Sequence, residues 1–384
     1  MMIYLDNSAT TRCCDASMEI MRECLQDNFG NPSSLHQFGA KIGRDYLNNA
    51  RKEIASILKC KDKEIYFTSG GTEGNNLAIR GTADAKKRLG NHIITTQIEH
   101  ASVLNPIKAL EKQGFEVTYL SVDKYGVIDL EELKNSIRED TILVSIMMVN
   151  NEIGALEPIA EAGALIKKIN PNATFHVDAI QAFGKMTIIP KKMNIDILTI
   201  SGHKIHGPKG SGFIYIKDGL LVVPQILGGG HERGMRSGTE NVPAIAGLGL
   251  AAKLCYENLD KNRDHMYMLR DRFIKGVSAI EGLSVNGHTD QNSAPHIVSV
   301  SIQGNRTKAQ VILNCLENDY GILVSAGSAC SSNKPGISST LKAIGLDSSL
   351  LEKTIRFSFC PENTVEEIDA AISALAKLVP MMVL

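Results

Sequence analysis

The sequence predicts an α/β protein, with a mostly parallel seven-stranded sheet in a large domain and a smaller C-terminal α/β domain after it. Three observations carry that prediction. Short, nearly continuous apolar runs alternate with amphipathic stretches from about residue 64 to 217, which is the pattern of parallel strands covered by helices on both faces. After Gly238 the rhythm changes. Finally, 384 residues are enough for two compact domains, each with its own core.

In chain order, strands are expected at 65–67, 92–96, 117–122, 142–149, 175–178, 197–201 and 212–216. Among the intervening helices, the one at 129–137 opens on a D-x-x-E signal, Asp129 to Glu132, and places Leu130, Leu133 and Ile137 on one face. Residues 220–238 read as a glycine-rich loop that contains Gly-Gly-Gly-His-Glu-Arg-Gly at 228–234. A helical stretch follows from about 242 through 267 to 280, then strands at 298–302 and 354–359. The last helix opens on a Thr364-Val-Glu-Glu367 capping box, and Ile368, Ile372, Leu375 and Val379 continue its apolar face. This organisation divides the chain into a large domain, 15–258, and a small one, 259–384, joined by the N-terminal segment 1–14.

Composition narrows the function classes. Hydrophobic residues make up 43% and charged residues 22%, ordinary values for a globular protein. A net charge of −1 argues against nucleic acid or an anionic membrane as partner. The richest apolar run, 141–149, has the length of a buried strand, far short of the roughly 20 residues of a membrane span. No basic region followed by an apolar stretch opens the chain, so no signal peptide is expected. The eight cysteines (13, 14, 24, 60, 255, 315, 330 and 360) form no C-x-x-C pair. That points to a reducing cytoplasm and against a dedicated zinc site.

The chemistry begins at Lys204, which lies among Ser201, His203 and His206 where an apolar strand gives way to glycine. Burial would lower the pKa of such an ammonium and make it an amine nucleophile able to form a Schiff base. Residues 65–76 read as strand, glycine turn and helix start, with Gly71 and Thr72 placed for a phosphate. A tight turn without a ligand fits that stretch equally well, whereas a dinucleotide site does not, because the spacing is not G-x-G-x-x-G. Asp178 ends an apolar strand, where it can hold a pyridinium nitrogen protonated or cap the next helix. His100 follows another strand, either as a satisfied hydrogen-bonder or as a ring that stacks on a cofactor and moves protons. Arg356 interrupts an apolar strand, suiting a substrate carboxylate or a structural ion pair. Cys330 lies among glycine, serine and alanine, where an exposed thiol would be reactive. A small hydrophobe is the alternative there.

These residues sit in motifs that run nearly the length of the chain. They include Tyr-Leu-Asp-Asn-Ser-Ala-Thr-Thr at 4–11, Thr-Ser-Gly-Gly-Thr-Glu at 68–73, Asn-Asn-Glu-Ile-Gly at 150–154 and His-Val-Asp-Ala at 176–179. Further on come Ser-Gly-His-Lys at 201–204, Gly-Gly-Gly-His-Glu-Arg-Gly-Met-Arg-Ser-Gly-Thr at 228–239 and Gly-Ser-Ala-Cys at 327–330. In this order they resemble the pyridoxal-phosphate-dependent cysteine desulfurases of the housekeeping iron–sulfur type, within the class V aminotransferases. The resemblance implies the type I pyridoxal-phosphate fold and a Schiff base between pyridoxal 5'-phosphate and Lys204. It further implies that Asp178 pairs with the ring nitrogen, Gln181 bonds the phenolic oxygen, and His100 stacks on the ring as an acid–base group. Gly71, Thr72, Ser201 and His203 would cradle the phosphate, with Thr239 joining from a second subunit of a homodimer. Asn151, at the cofactor, and Arg356 would fix the carboxylate of L-cysteine. Cys330 would accept the sulfur as a persulfide, pass it to an acceptor or iron–sulfur scaffold protein, and be a possible ligand to a cluster shared with that scaffold. Selenocysteine lyase and cysteine-sulfinate desulfinase are the alternative activities, and a non-catalytic sulfur-delivery partner is a third. Where the family commonly has glycine after Arg-Phe-Ser-Phe, this chain has Cys360, read here as inert.

Overall fold

The apolar runs of the first two-thirds become the strands of one sheet. The computed structural model describes residues 2–304, 308–326 and 338–383. Its strands are β1 (Ile3–Tyr4), β2 (Ile65–Thr68), β3 (His92–Thr96), β4 (Glu116–Leu120), β5 (Thr141–Met147), β6 (Thr174–Asp178) and β7 (Ile197–Ser201). They continue as β8 (Gly212–Ile216), β9 (Leu283–Asn286), β10 (Ile297–Ile302), β11 (Ile322–Leu323), β12 (Ser325–Ala326) and β13 (Thr354–Ser358). The helices are α1 (Asp15–Gln26), α2 (Gln37–Ile42), α3 (Asn48–Leu58), α4 (Gly71–Lys86), α5 (Ala101–Glu111) and α6 (Leu130–Ser136). After them come α7 (Ile159–Ile169), α8 (Val242–Glu257), α9 (Leu259–Ser278), α10 (Ala309–Tyr320), α11 (Ser339–Ala343) and α12 (Val365–Val383).

Seven strands pair in the order β2, β8, β7, β6, β5, β3, β4. Only β8 runs against its neighbours; the pairs from β7 across to β4 are parallel. Every residue of β5, β6 and β7 is buried, which is why these segments are continuous apolar runs and not alternating ones. Register aligns their ends, with Met147 beside Asp178 and Asp178 beside Thr199. The carboxyl ends of the parallel strands therefore form one ledge, the usual seat of ligands in an open α/β sheet.

A second sheet, β12, β13, β10, β9, is antiparallel. With α9, α10 and α12 it encloses a separate core that takes Ile3 and Leu5 from the N-terminal segment. That segment is tied down by the parallel pairing of β1 with β11.

Local signals behave as their chemistry requires, with three exceptions. The Thr364 box is reciprocal: Glu367 N–H donates to Thr364 Oγ1 (3.3 Å) and Thr364 N–H to Glu367 Oε2 (3.1 Å). At α6, Asp129 caps Glu131 N–H (2.9 Å), but Glu132 turns away and accepts from Ser121 N–H at the end of β4 (3.2 Å). The single helical stretch expected across 242–280 is two helices, because the backbone leaves helical geometry at Asn258 (φ −117°, ψ 20°). Strand β9 was not expected; it is only four residues long, and its Asn286 donates to Ser299 (3.0 Å) and Ser301 (2.9 Å) on β10.

Candidate active site

The ledge of strand ends builds a cavity of about 190 Å³. The turn from β2 into α4 supplies its first wall. Gly70 sits at φ +145°, a conformation open to glycine. A Cβ on Gly71 would come within 2.2 Å of Ile180 Cδ1. Glycine thus lets the N-terminus of a 16-residue helix press against the end of β6, aiming its N–H groups and positive dipole at the cavity.

Ten of the residues singled out from the sequence line this space: Gly71, Thr72, His100, Asn151, Asp178, Gln181, Ser201, His203, Lys204 and Arg356. They follow the ends of β2, β3, β5, β6 and β7, and only Arg356 comes from the second sheet. Thr239 is exposed and lies outside this lining. Cys330 lies outside the described residues.

The polar contacts define how each group is held. Lys204 is half-buried, not fully buried as the reading of a buried amine required, and its Nζ donates to the carbonyls of Ser8 and Ala9, the latter at 2.7 Å. Gln181 Nε2 donates to the same Ser8 carbonyl (3.0 Å), and its Oε1 faces His296 Nε2 (3.3 Å). Asp178 Oδ1 accepts from Ile180 N–H (3.0 Å), and its Oδ2 accepts from Asn75 Nδ2 (2.8 Å). Asp178 therefore caps the following turn and lines the cavity at once. His203 Nδ1 lies 3.1 Å from Thr10 Oγ1. Arg356 donates from Nη1 to the Asn151 carbonyl (2.8 Å) and pairs through Nη2 with Asp6 (2.9 Å), while its buried Nε has no partner among the described residues. The structural reading of Arg356 is seen directly in its ion pair with Asp6.

Electrostatics follow from burial. Burial, with help from Lys204, holds the His100 imidazole below its ordinary range, although Asp178 pulls the other way. His203 is pushed down to about 4 by burial and then by the charges of Lys204, Lys209 and Lys185. Burial pushes the Asp178 carboxyl up, opposed by Ile180 N–H, His100, Asn75 and Lys204. Lys185, held down to about 8 by burial, donates to the Lys204 carbonyl (2.9 Å). Burial also keeps thiols protonated, raising Cys24, Cys255 and Cys360 to about 11 and Cys60 to about 12.

Residues 3–371 match the aminotransferase class-V family model. The chain belongs to the class-V aminotransferase family. Within it, the chain is 44% identical over 377 residues to the cysteine desulfurase IscS of Methanosarcina thermophila, an alignment covering 98% of this chain and 92% of that protein. It is 45% identical over 380 residues to a cysteine desulfurase of Nostoc sp., again covering 98% and 92%. Among solved structures, a NifS-like protein superposes with a TM-score of 0.93 at 37% identity over the whole of both chains. SspA in complex with cysteine superposes at 0.82 and 35% identity, covering 94% of this chain and all of that one. The fold is that of the type I pyridoxal-phosphate enzymes, and the cofactor of this class-V enzyme is pyridoxal 5'-phosphate.

The cavity of this class-V enzyme suits that cofactor on its own chemistry. A phosphate would find a helix N-terminus and the hydroxyls of Thr72 and Ser201 beside His203, a ring nitrogen would find the buried carboxyl of Asp178, and an aldehyde would find the amine of Lys204. Four contributors escaped the sequence reading. Ser8 and Asp6 belong to a quoted motif but work through a carbonyl and an ion pair, which residue type does not advertise. Asn75 and Ser102 look like ordinary helix positions until the fold brings them against Asp178 and His100.

Proposed function

We propose that this enzyme is a cysteine desulfurase, removing sulfur from L-cysteine to give L-alanine and a persulfide on Cys330. The observation that carries the reading is the convergence of Lys204, Asp178, Gln181, His100 and Arg356 on one cavity beside a helix N-terminus, together with the relatives named cysteine desulfurase. Lys204 holds the cofactor covalently, Gly71, Thr72, Ser201 and His203 hold its phosphate, and Asp178 and Gln181 hold its ring. When bound there, pyridoxal phosphate supplies an electron sink that stabilises the charge left when the substrate Cα loses its proton. Lys204 and His100 move protons between substrate atoms. Arg356 and Asn151 orient the substrate carboxylate; the unpartnered Nε of Arg356 supports this role. The Cys330 thiolate attacks the substrate sulfur. An S–S bond forms, the Cβ–S bond breaks with its electron pair left on the carbon side, and one proton added at Cβ and one returned to Cα complete alanine.

The reading extends to the assembly. Residues 15–258 form a large cofactor domain and 259–384 a small one, with 1–14 bridging them. Two copies form a homodimer in which Thr239 reaches the partner's phosphate site. Exposed large apolar side chains concentrate in two stretches, at Leu25, Phe29, Leu35 and Phe38 and at Leu221, Val223, Ile226 and Leu227, as a subunit interface requires. The persulfide sulfur passes to a transient acceptor such as an iron–sulfur scaffold.

The test is product analysis. Protein incubated with L-cysteine yields alanine and Cys330-bound sulfur in equal amounts, and Cys330→Ala keeps the cofactor's yellow absorbance while losing sulfide release. Sulfide production by Cys330→Ala at the native rate removes the nucleophile from the scheme.

A further inference from the structure

We propose that Asn75 is a positioning residue that links Asp178 to His100 through Ser102 and so fixes which imidazole nitrogen carries the proton. The proposal rests on the reading of Asp178 as ring partner and His100 as acid–base group, and adds what holds them in register.

Asn75 lies on α4 and is fully buried. Its Nδ2 is 2.8 Å from Asp178 Oδ2 and 2.8 Å from Ser102 Oγ. Ser102 Oγ is in turn 2.8 Å from His100 Nδ1, and Ser102 N–H donates to the same nitrogen at 3.1 Å. The direction of this chain follows from donor counting. Paired with a protonated ring nitrogen, Asp178 is a carboxylate and only accepts, so the amide must turn Nδ2 toward it. Asn75 Oδ1 has no partner among the described residues, so no bond of its own favours the flipped amide. Nδ2 has two protons, one for Asp178 and one for Ser102. Ser102 Oγ, having accepted, gives its single proton to His100 Nδ1. Nδ1 is then an acceptor, and the neutral ring carries its proton on Nε2.

The linkage is dry as well as directional. Asn75, Ser102 and Asp178 are all buried, so water does not compete for these bonds. Removing the Ser102 hydroxyl takes away a donor that opposes protonation of Nδ1, and the affinity of His100 for a proton rises. The other titratable groups around the ring are unchanged by that substitution. They are Asp178 and Lys204, which act on it in opposite directions, Glu99 beside it, Arg80 across the adjoining groove and Arg356 across the cavity.

The experiment uses holoenzyme labelled with 15N-histidine, with His100→Gln assigning the signal. Wild-type protein shows the Nε2–H tautomer. Ser102→Ala raises the His100 titration midpoint by about one pH unit, and the low-pH limb of kcat for alanine formation rises with it. Asn75→Leu moves both in the same direction and weakens pyridoxal phosphate binding about tenfold, since Asp178 loses a donor. An unmoved His100 midpoint and an unmoved pH limb in Ser102→Ala overturn the linkage, whether or not Asn75→Leu folds. A wild-type protein that makes no alanine from cysteine instead sinks the desulfurase reading, and leaves the tautomer signature to be read on its own.

Discussion

Burial sorts the side chains of this enzyme into neutral and charged. His203, held near 4 by burial and three lysines, is a neutral ring throughout the physiological range. Cys360 illustrates the same control on a thiol. It follows Arg356 by four residues, but its side chain is buried, its thiol is pushed up to about 11 by burial, and its N–H is held by Asn363 Oδ1 (2.9 Å). A protonated, enclosed thiol is a poor nucleophile. Cys360→Ala should therefore keep alanine formation within about twofold of the native rate, at a stability cost of about 1 kcal/mol for the small void it leaves. Steady-state kinetics and a denaturant melt check both. A drop of tenfold or more in turnover would bring Cys360 into the chemistry.

At the scale of elements, the loops that leave β5 and β4 are joined by a buried carboxyl. Glu157 Oε2 accepts from Ile128 N–H (3.1 Å), its Oε1 is buried without a partner among the described residues, and burial raises its pKa from 4.5 to about 8. The folded state thus holds a proton that the unfolded chain releases above 4.5. Stability from this group is fully present below pH 4.5 and is lost as pH rises toward 8, on the order of a few kcal/mol. Glu157→Gln keeps the acceptor for Ile128 and has no proton to lose. Its unfolding free energy should gain on the native protein steadily from pH 5 to pH 8; parallel pH profiles for the two proteins would refute the assignment. Elements were also the level most legible in the sequence. β5, β6 and β7 are apolar throughout because both faces are covered, so composition alone marks them. The short strand β1 and its partner β11 carry no such mark, since two-residue strands are defined by what they pair with. For the same reason Asp178 and Lys204 were readable as strand-end residues, whereas Asn75 became meaningful only once α4 lay against β6.

Across the whole molecule, the described cavity contains every expected cofactor contact of one protomer except Thr239, which stands exposed on the loop before α8. That loop is fixed from behind. Glu232 makes a buried pair with Arg51 (2.7 Å) and also accepts from Phe67 N–H on β2 (2.8 Å). Glu232 and Arg233 both take positive φ, 48° and 55°, which costs each about 1 kcal/mol or more. A loop so firmly held, yet pointing its threonine to solvent, is consistent with a contact made across a subunit boundary. The decisive measurement is complementation. On the proposed homodimer, Thr239→Ala and Lys204→Ala proteins unfolded and refolded together should form mixed dimers. If Thr239 serves its partner, the Thr239→Ala protomer supplies the intact lysine and receives the other copy's threonine, so one site of the two is whole. Turnover in the mixed population should then exceed that of either variant refolded alone. If Thr239 acted within its own chain, neither site of the mixed dimer would be complete, and mixing would yield no more than the average of the two variants.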